Sequence, residues 1–499
     1  MPHRETPAGA WAGDARRSEM TTMSSRSKLA VALLVALAAC AVNPATGRRE
    51  LMLVSEAEEI QMGREADPQI TASLGLVEDP ALQRYVSDIG MRLAAVSERP
   101  NLPWSFKVVD DPIVNAFALP GGFIYVTRGI LASFDSEAEL AGVLGHEIGH
   151  VTAKHTASQM SRQQLQQLGL GVGMIFSEAV REYGSLASAG LQLMNLSFSR
   201  GDETQSDELG LRYIGRLNYD PEAMIGVFEM LASVGGAGEG RIPEWQLTHP
   251  YPENREANIR QEIAAQQIQP GGRVARDAYL DRVDGLVYGA NPREGFFRDT
   301  RFLHPDLAFE LTFPAGWSTV NQRTLVAAVA PGERAVLVLE VVPEAGTPDA
   351  ELREFLGQQG IAGGPVRDEA SVGVDLVRAT FTATTEEGTL AGEVAYARRG
   401  DVVYRLLGYA TSADWRSHSS AVATSISSFR QLTDAAALAV QPWRIDIVTL
   451  PSATSLSTYL SRNPGPVEVD ALARLNRVDP GEVLPAGTRI KRVVGDPLP

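Results

Sequence analysis

Residues 146–150 read His146-Glu147-Ile148-Gly149-His150, and this H-E-x-x-H segment constrains the chain more than any other feature. At 3.6 residues per turn the two histidines share one helix face, about 6 Å apart along the axis. Two imidazoles at that spacing can grip one metal ion without bending the backbone, and nitrogen donors of this kind suit Zn2+. Glu147 lies roughly 100° round from His146, outside easy reach of the same ligand set. It is placed instead to take a proton from a metal-bound water. The alternative is a chance match on a surface helix, which only seven His in the whole chain make rare.

The flanks predict a buried, well-started helix. Ser136 and Glu139 form an S-x-x-E capping box. Leu140, Val143, Leu144, Ile148 and Val151 then recur at helical spacing. His155 falls about 140° beyond His150 and reads as a polar residue at the helix end, not a ligand. Two His leave a catalytic zinc one protein ligand short, and the single Cys, Cys40, is far away at the N-terminus. The best source is Ser199-Arg200-Gly201-Asp202-Glu203-Thr204-Gln205-Ser206-Asp207, on what reads as a second helix running on to Leu217. Glu203 and Asp207 stand four apart, so one carboxylate can bind the ion while the other orients a His ring. A solvated acidic helix start fits the same spacing equally well.

These two segments together resemble the zinc metallopeptidase family that contains the HtpX and BepA proteins and the CAAX prenyl endopeptidases. The resemblance makes Glu203 the third zinc ligand and Asp207 a support for the site. Gly201-Asp202 departs mildly from the usual pair before that Glu. Asn115-Ala116-Phe117-Ala118-Leu119-Pro120-Gly121-Gly122 resembles the strand and turn beside which the family lays an extended substrate. Thr248-His249-Pro250…Arg255 resembles its H-P-x-x-x-x-R segment, whose His approaches the metal. The match runs from about residue 45 to 288. His249 could fill the fourth zinc position and hold the enzyme latent, stabilise the oxyanion formed when water attacks a peptide carbonyl, or sit in a Pro-flanked turn. The sequence leaves all three open.

Residues 104–109, 115–119 and 123–126 read as strands, the last two joined by Pro120-Gly121-Gly122. An exposed strand edge would bind an extended peptide with little selectivity; an ordinary core hairpin is the alternative. Between the two metal segments, 168–176 is glycine-rich but lacks the G-x-G-x-x-G dinucleotide pattern. It is too short to span a membrane. It reads as a helical lid over the zinc or a buried helix.

Arg26 and Lys28 precede an apolar run of about a dozen residues ending in Leu37-Ala38-Ala39-Cys40, the pattern of a secretory signal. That ending also resembles the lipobox of bacterial lipoproteins, which implies lipidation of Cys40. A lone Cys cannot form an intrachain disulfide. Residues 1–40 are thus expected to be a lipoprotein signal, with Met20 or Met23 as alternative starts. Ala41 after the Cys favours the outer membrane by the same resemblance. A net charge of −16 with no basic cluster argues against nucleic acid as a partner.

The expected fold class is α+β. A mainly helical zincin-type metallopeptidase domain with a small edge-exposed sheet fills 41–288. An α+β sandwich follows at 300–432, resembling a PsbP-like module through Phe313-Pro314-Ala315-Gly316-Trp317 and Ser427-Ser428-Phe429. It reads as a spacer or interaction domain, with His304 and His418 as isolated structural or solvated residues. A small β-α-α-β module at 444–494 resembles the second half of a glycan-binding LysM module, but Pro451–Leu456 lacks the usual Gly-Asp. Peptidoglycan therefore enters as a partner with its binding left open. All metal and base candidates precede residue 256, so this last module is expected to contribute nothing to hydrolysis.

The function implied is a lipid-tethered envelope endopeptidase with one Zn2+ per chain, hydrolysing unfolded or misassembled envelope proteins. The alternative is a chaperone-like protein that binds the same clients along the 115–119 edge, with Asn115, Ala116, Phe117 and Ala118 as contacts, and rarely cuts.

Overall fold

A computed structural model describes residues 40–170, 197–235, 245, 248–249, 255–343, 345–371, 373–385 and 388–498. The lipobox residues before Cys40, residues 171–176 of the glycine-rich run and Pro250 lie outside the described residues.

The N-terminal unit begins with a two-stranded ribbon, β1 (Cys40–Val42) and β2 (Arg49–Leu51), followed by α1 (Glu56–Leu74) and α2 (Pro80–Ala95). Ser55 and Glu58 form a complete capping box on α1, and Asp79 caps α2 just before Pro80. Three strands follow, β3 (Ser105–Val109), β4 (Ala116–Leu119) and β5 (Phe123–Thr127). Their spatial order is β3-β5-β4, with β3 parallel and β4 antiparallel to β5. The β4–β5 turn requires φ of 82° at Gly121 and 100° at Gly122, which glycine adopts without a side-chain penalty. β4 thus lies at one edge of the sheet. Phe117 on β4 stacks on Tyr125 of β5 at 4.9 Å between ring centres.

Helices α3 (Arg128–Ser133), α4 (Glu137–Thr152), α5 (His155–Leu170), α6 (Arg200–Arg216), α7 (Glu222–Gly235), α8 (Arg255–Ala265) and α9 (Arg276–Val283) complete the unit. Every residue of α4 is buried, and β4, α2, α6 and α7 pack around it. An apolar stripe would have sufficed for a helix on the surface of a core; α4 is the centre of this one.

The middle segment runs through β6 (Phe296–Arg298), β7 (Arg301–His304), β8 (Phe309–Thr312), β9 (Ser318–Asn321), β10 (Leu325–Val329), β11 (Ala335–Val342), α10 (Pro348–Leu356), β12 (Ile361–Gly363), β13 (Arg367–Ser371), β14 (Val374–Thr385), β15 (Gly388–Arg399), β16 (Val402–Thr411), α11 (Trp415–Ser427), β17 (Arg430–Gln431) and α12 (Ala435–Ala439). The large antiparallel sheet has the order β12-β14-β15-β16-β11-β10-β9, with β13 also paired to β14. Alternation along its strands separates two cores. Ala395, Ala397, Tyr404 and Leu406 meet Val422 and Ile426 of α11, whereas Val394, Tyr396, Val403 and Leu407 meet Leu352 and Phe355 of α10. His304 is partly buried and its Nδ1 accepts from the Leu307 N–H at 3.2 Å.

The last module, β18 (Arg444–Thr449), β19 (Thr454–Ser455), α13 (Leu456–Arg462), α14 (Val469–Asn476), β20 (Val483–Leu484) and β21 (Arg489–Val494), is not a detached appendage. Its first strand bonds to the end of the N-terminal unit: Gly285 N to Ile445 O, Ile445 N to Leu286 O and Tyr288 N to Trp443 O, each 2.8 Å. Ile445, Leu475 and Val493 join the core that holds α4. Lys491 is fully buried; its ammonium donates to Ala132 O (3.0 Å) and Phe134 O (2.8 Å) and pairs with Asp135 at 3.0 Å. Burial pushes the Lys491 pKa down, and the Asp135 carboxylate opposes that shift. Arg477 donates to both oxygens of Glu139, at 2.6 and 2.8 Å, and to Ser133 O at 3.1 Å. The middle segment is therefore an insertion whose ends meet, with Arg293 donating to Leu438 O at 2.7 Å. The module expected to contribute nothing to hydrolysis thus grips the turn from which α4 starts.

Lys491→Ala should cost about 3 kcal/mol, the low end for breaking an ion pair whose cation is buried while Asp135 is only half-buried. Urea denaturation of the full chain, followed through the N-terminal unit, measures it. An unchanged midpoint would show that the contact contributes no stability in solution.

Candidate metal centre

The site is built where α4 crosses α6, and small residues allow the crossing. A Cβ on Gly145 would stand 3.2 Å from Gly210 Cα, one on Gly149 would stand 3.0 Å from Ser206 Cα, and one on Gly210 would stand 3.0 Å from His146 N. Backbones this close let a side chain as short as Glu203 reach across to both histidines.

The two helices start differently from expectation. On α4, Ser136 Oγ accepts from Glu139 N, but the Glu139 carboxylate does not return to Ser136. It takes Asp135 N at 2.7 Å and the Arg477 guanidinium instead. On α6 the box is complete, between Ser199 and Asp202. The residue that departs from the usual pair before Glu203 is the one that caps this helix.

One nitrogen or oxygen from each of His146, His150, Glu203 and His249 lies within 4.8 Å of all the others, and all four residues are buried. His150 Nε2 is 3.0 Å from His146 Nε2 and 3.3 Å from Glu203 Oε1. His249 Nδ1 is 3.0 Å from Glu203 Oε1 and 3.4 Å from His146 Nε2. Glu147 stays outside this group, fully buried, with His249 Nε2 at 3.7 Å from Oε1. Among the described residues, neither carboxylate oxygen of Glu147 has a hydrogen-bond partner.

Surrounding groups fix the rings. His146 Nδ1 is 2.8 Å from Asp207 Oδ1. Arg255 donates to both Asp207 oxygens, at 2.8 and 2.7 Å, and lies over the Phe228 ring at 4.1 Å. Trp245 stacks on His249 with ring centres 4.2 Å apart, and its carbonyl accepts from His249 N at 2.8 Å. Phe198 covers His150 at 4.1 Å. His155, expected at a polar helix end, is outside the ligand group but buried against His150. Trp245, Phe198 and the His155 contact were missed; only the one-turn spacing of Trp245 and His249 was available as a signal.

Asn115 is buried, its N–H donating to Thr127 Oγ1 at 3.1 Å. Ala116 and Phe117 are buried too, and Ala118 is partly buried. β4 is the last strand of its sheet, but of residues 115–119 only Ala118 is part-exposed, so the edge expected to be open is largely buried, backbone included. Cys40 opens β1 and Ala41 follows it there.

Burial raises the pKa of Glu147, with the His249 and His146 rings opposing. Burial pushes His150 well down, with Glu203 opposing, and lowers His155 as well. Burial opposes ionisation of Glu203, yet the surrounding His rings hold its pKa well below the ordinary value. Three imidazoles and an ionised carboxylate converging in a buried site, beside an orphaned buried carboxylate, form a donor set that fits a divalent cation.

Comparison with known proteins agrees with that chemistry. Residues 80–263 match the family model described as Peptidase family M48. The beta-barrel assembly-enhancing protease of Yersinia pestis is 34% identical over 245 residues, covering 47% of this chain and 50% of that protein. The protein of the same name from Escherichia coli (strain K12) is 33% identical over 225 residues, covering 44% and 46%. The mitochondrial metalloendopeptidase OMA1 of Schizosaccharomyces pombe is 30% identical over 241 residues, covering 45% of this chain and 67% of that protein. The chain spans about half the length of the first two of these curated relatives. Among solved structures, the cyanobacterial PsbP of Synechocystis sp. PCC 6803 matches 26% of this chain and 91% of its own, at 13% identity and a TM-score of 0.22.

Gly210→Val should force α4 and α6 apart and lower metal affinity at least about 10-fold, the scale on which misoriented ligands act. Metal content after dialysis against a weak chelator checks it. Retention equal to the wild type would mean that the close crossing does not set the site.

Proposed function

The chain belongs to peptidase family M48, and from that premise we propose that it is a zinc-dependent endopeptidase of the bacterial cell envelope, cutting unfolded or misassembled envelope proteins. The observation that carries this reading is the buried group of His146, His150, Glu203 and His249 with the Glu147 carboxylate beside it, whose oxygens accept no hydrogen bond among the described residues. A purely structural zinc site needs no such base.

In this reading His146, His150 and Glu203 hold one zinc ion, and Asp207, anchored by Arg255, orients His146. When bound, the zinc polarises the scissile carbonyl and makes an adjacent water acidic. Glu147 takes the proton from that water on a carboxylate oxygen and returns it to the amide nitrogen of the departing chain. Its raised pKa suits the return step. Substrate lies along the edge of β4 once that edge is uncovered, and the backbone of residues 115–118 then pairs with an extended chain whatever its side chains. This accords with unfolded clients and with the name of the Yersinia and Escherichia relatives.

His249 serves as a removable fourth ligand. Its Nδ1 faces Glu203 and His146 inside the ligand group, which favours a cap on the metal over a turn residue or a donor to the oxyanion. Displacing it opens the position that a substrate carbonyl or water would take.

Cys40 carries the lipid anchor that places the enzyme on the periplasmic face of the outer membrane. No helix among the described residues is long and apolar enough to cross a membrane. We assign 41–288 to the peptidase, 300–432 to a PsbP-like spacer and 444–494 to a LysM-like module that can meet peptidoglycan.

Glu147→Gln should keep the zinc and reduce cleavage of an unfolded substrate by at least about 100-fold, because the amide preserves shape but cannot accept the proton. A chelator should abolish wild-type cleavage. Wild-type rates in Glu147→Gln would sink the mechanism.

His249→Ala should raise the initial cleavage rate while leaving zinc stoichiometry unchanged, read by a fluorogenic peptide and elemental analysis. A fall in rate with zinc retained would return His249 to the transition state and remove the latent form.

A further inference from the structure

The same site has a second set of supports that the proteolytic reading does not use. His150 is aimed by its Nε2 at Glu203 and His146, so its Nδ1 points out of the ligand group. There it meets His155 Nδ1 at 3.0 Å. The opposite nitrogen of His155, Nε2, lies 2.8 Å from Gln205 Oε1. Ser206 Oγ stands 3.3 Å from His155 Nδ1 and closes the side of the ring. His155 is 4% exposed and Ser206 fully buried, so water does not substitute for these contacts.

The protonation pattern follows from which atoms can donate. An amide oxygen only accepts, so His155 must carry its hydrogen on Nε2 to satisfy Gln205. A neutral imidazole has one N–H, which makes His155 Nδ1 an acceptor. His150 must then carry its hydrogen on Nδ1, leaving the Nε2 lone pair free inside the ligand group. On the other side of the site, His146 Nδ1 faces Asp207, the carboxylate locked by Arg255. One ring is set directly by a carboxylate, the other through a histidine whose Nε2 faces the Gln205 amide, with the Asp202 carboxylate 3.8 Å from that nitrogen.

We propose that His155 and Gln205 are positioning residues that fix the tautomer and orientation of His150 for metal binding. The proposal rests on the zinc reading of the His146, His150 and Glu203 group and adds to it. His155 orients His150 through a ring nitrogen, and the Asp202 carboxylate reaches this support one residue further out, 3.8 Å from His155 Nε2. Asp207 instead contacts His146 directly, and a carboxylate partner raises ring basicity. Two ligands four residues apart are thus tuned separately, and the difference comes from α6 and the first residue of α5.

The test uses the full-length chain and zinc alone. His155→Phe keeps the ring shape and removes both nitrogens; Gln205→Leu removes the acceptor; Gln205→Glu keeps one. Competition with a chelator should show the zinc Kd rising about 10–100-fold in His155→Phe, the range for lost outer partners of metal ligands. Gln205→Leu should also weaken binding, and Gln205→Glu should restore it to the wild-type value or better. Two-bond 1H–15N spectra should show His150 protonated on Nδ1 in the wild type and a mixed tautomer in His155→Phe. Equal weakening by Gln205→Leu and Gln205→Glu, with matching loss of metal-free stability, would mean that these residues only pack and would overturn the relay. Wild-type affinity in both His155→Phe and Gln205→Leu would overturn the relay alone. A wild-type chain that takes up no zinc overturns the zinc reading and the relay with it.

Discussion

Everything at the centre depends on how closely α4 and α6 approach. Glu203 has a two-carbon side chain, and it reaches His150 and His249 only because Gly145, Gly149 and Gly210 bring the helix backbones together. The same approach lets Asp207, shorter still, touch His146. Once the spacing is set, burial does the rest. Charged and polar groups removed from water must find partners, and here they find one another. Among the described residues the network leaves both oxygens of Glu147, the base of the proposed mechanism, without a hydrogen bond.

Local rules read directly from the sequence account for much of this. The H-E-x-x-H spacing put His146 and His150 on one face; for Glu203 and Asp207 the spacing left two readings open, and only the family resemblance turned both toward the histidines, where they lie. The alternating strands of 104–126 appear with their glycine turn in place. What spacing could not supply was anything set by distant chain segments. The Ser136–Glu139 box reads as complete, yet Arg477, over three hundred residues away, holds the Glu139 carboxylate. His155 looked like a helix-end residue because its contact with Gln205 exists only after α4, α5 and α6 have packed. Trp245 carried no motif at all.

The C-terminal module shows the same limit of local reading. In the fold, Lys491 is a buried cation that three backbone and side-chain oxygens of the 132–135 segment surround. A charge is buried only where such compensation exists, so its position marks a tight junction. The turn that launches the metal-binding helix is therefore held from outside the peptidase segment.

The meeting of Tyr288 and Trp443 has a further consequence for how such a chain can change over evolutionary time. Along the sequence these residues are separated by an entire folded domain; in space they are neighbours on adjoining backbone. Closing a longer excursion costs only about 0.6 kcal/mol more for each doubling of its length. At that junction the size of what is inserted matters little, provided that its own ends come together. The peptidase and its C-terminal support form a frame with one open seam. Domains of quite different shape can be exchanged at that seam without retuning the metal site.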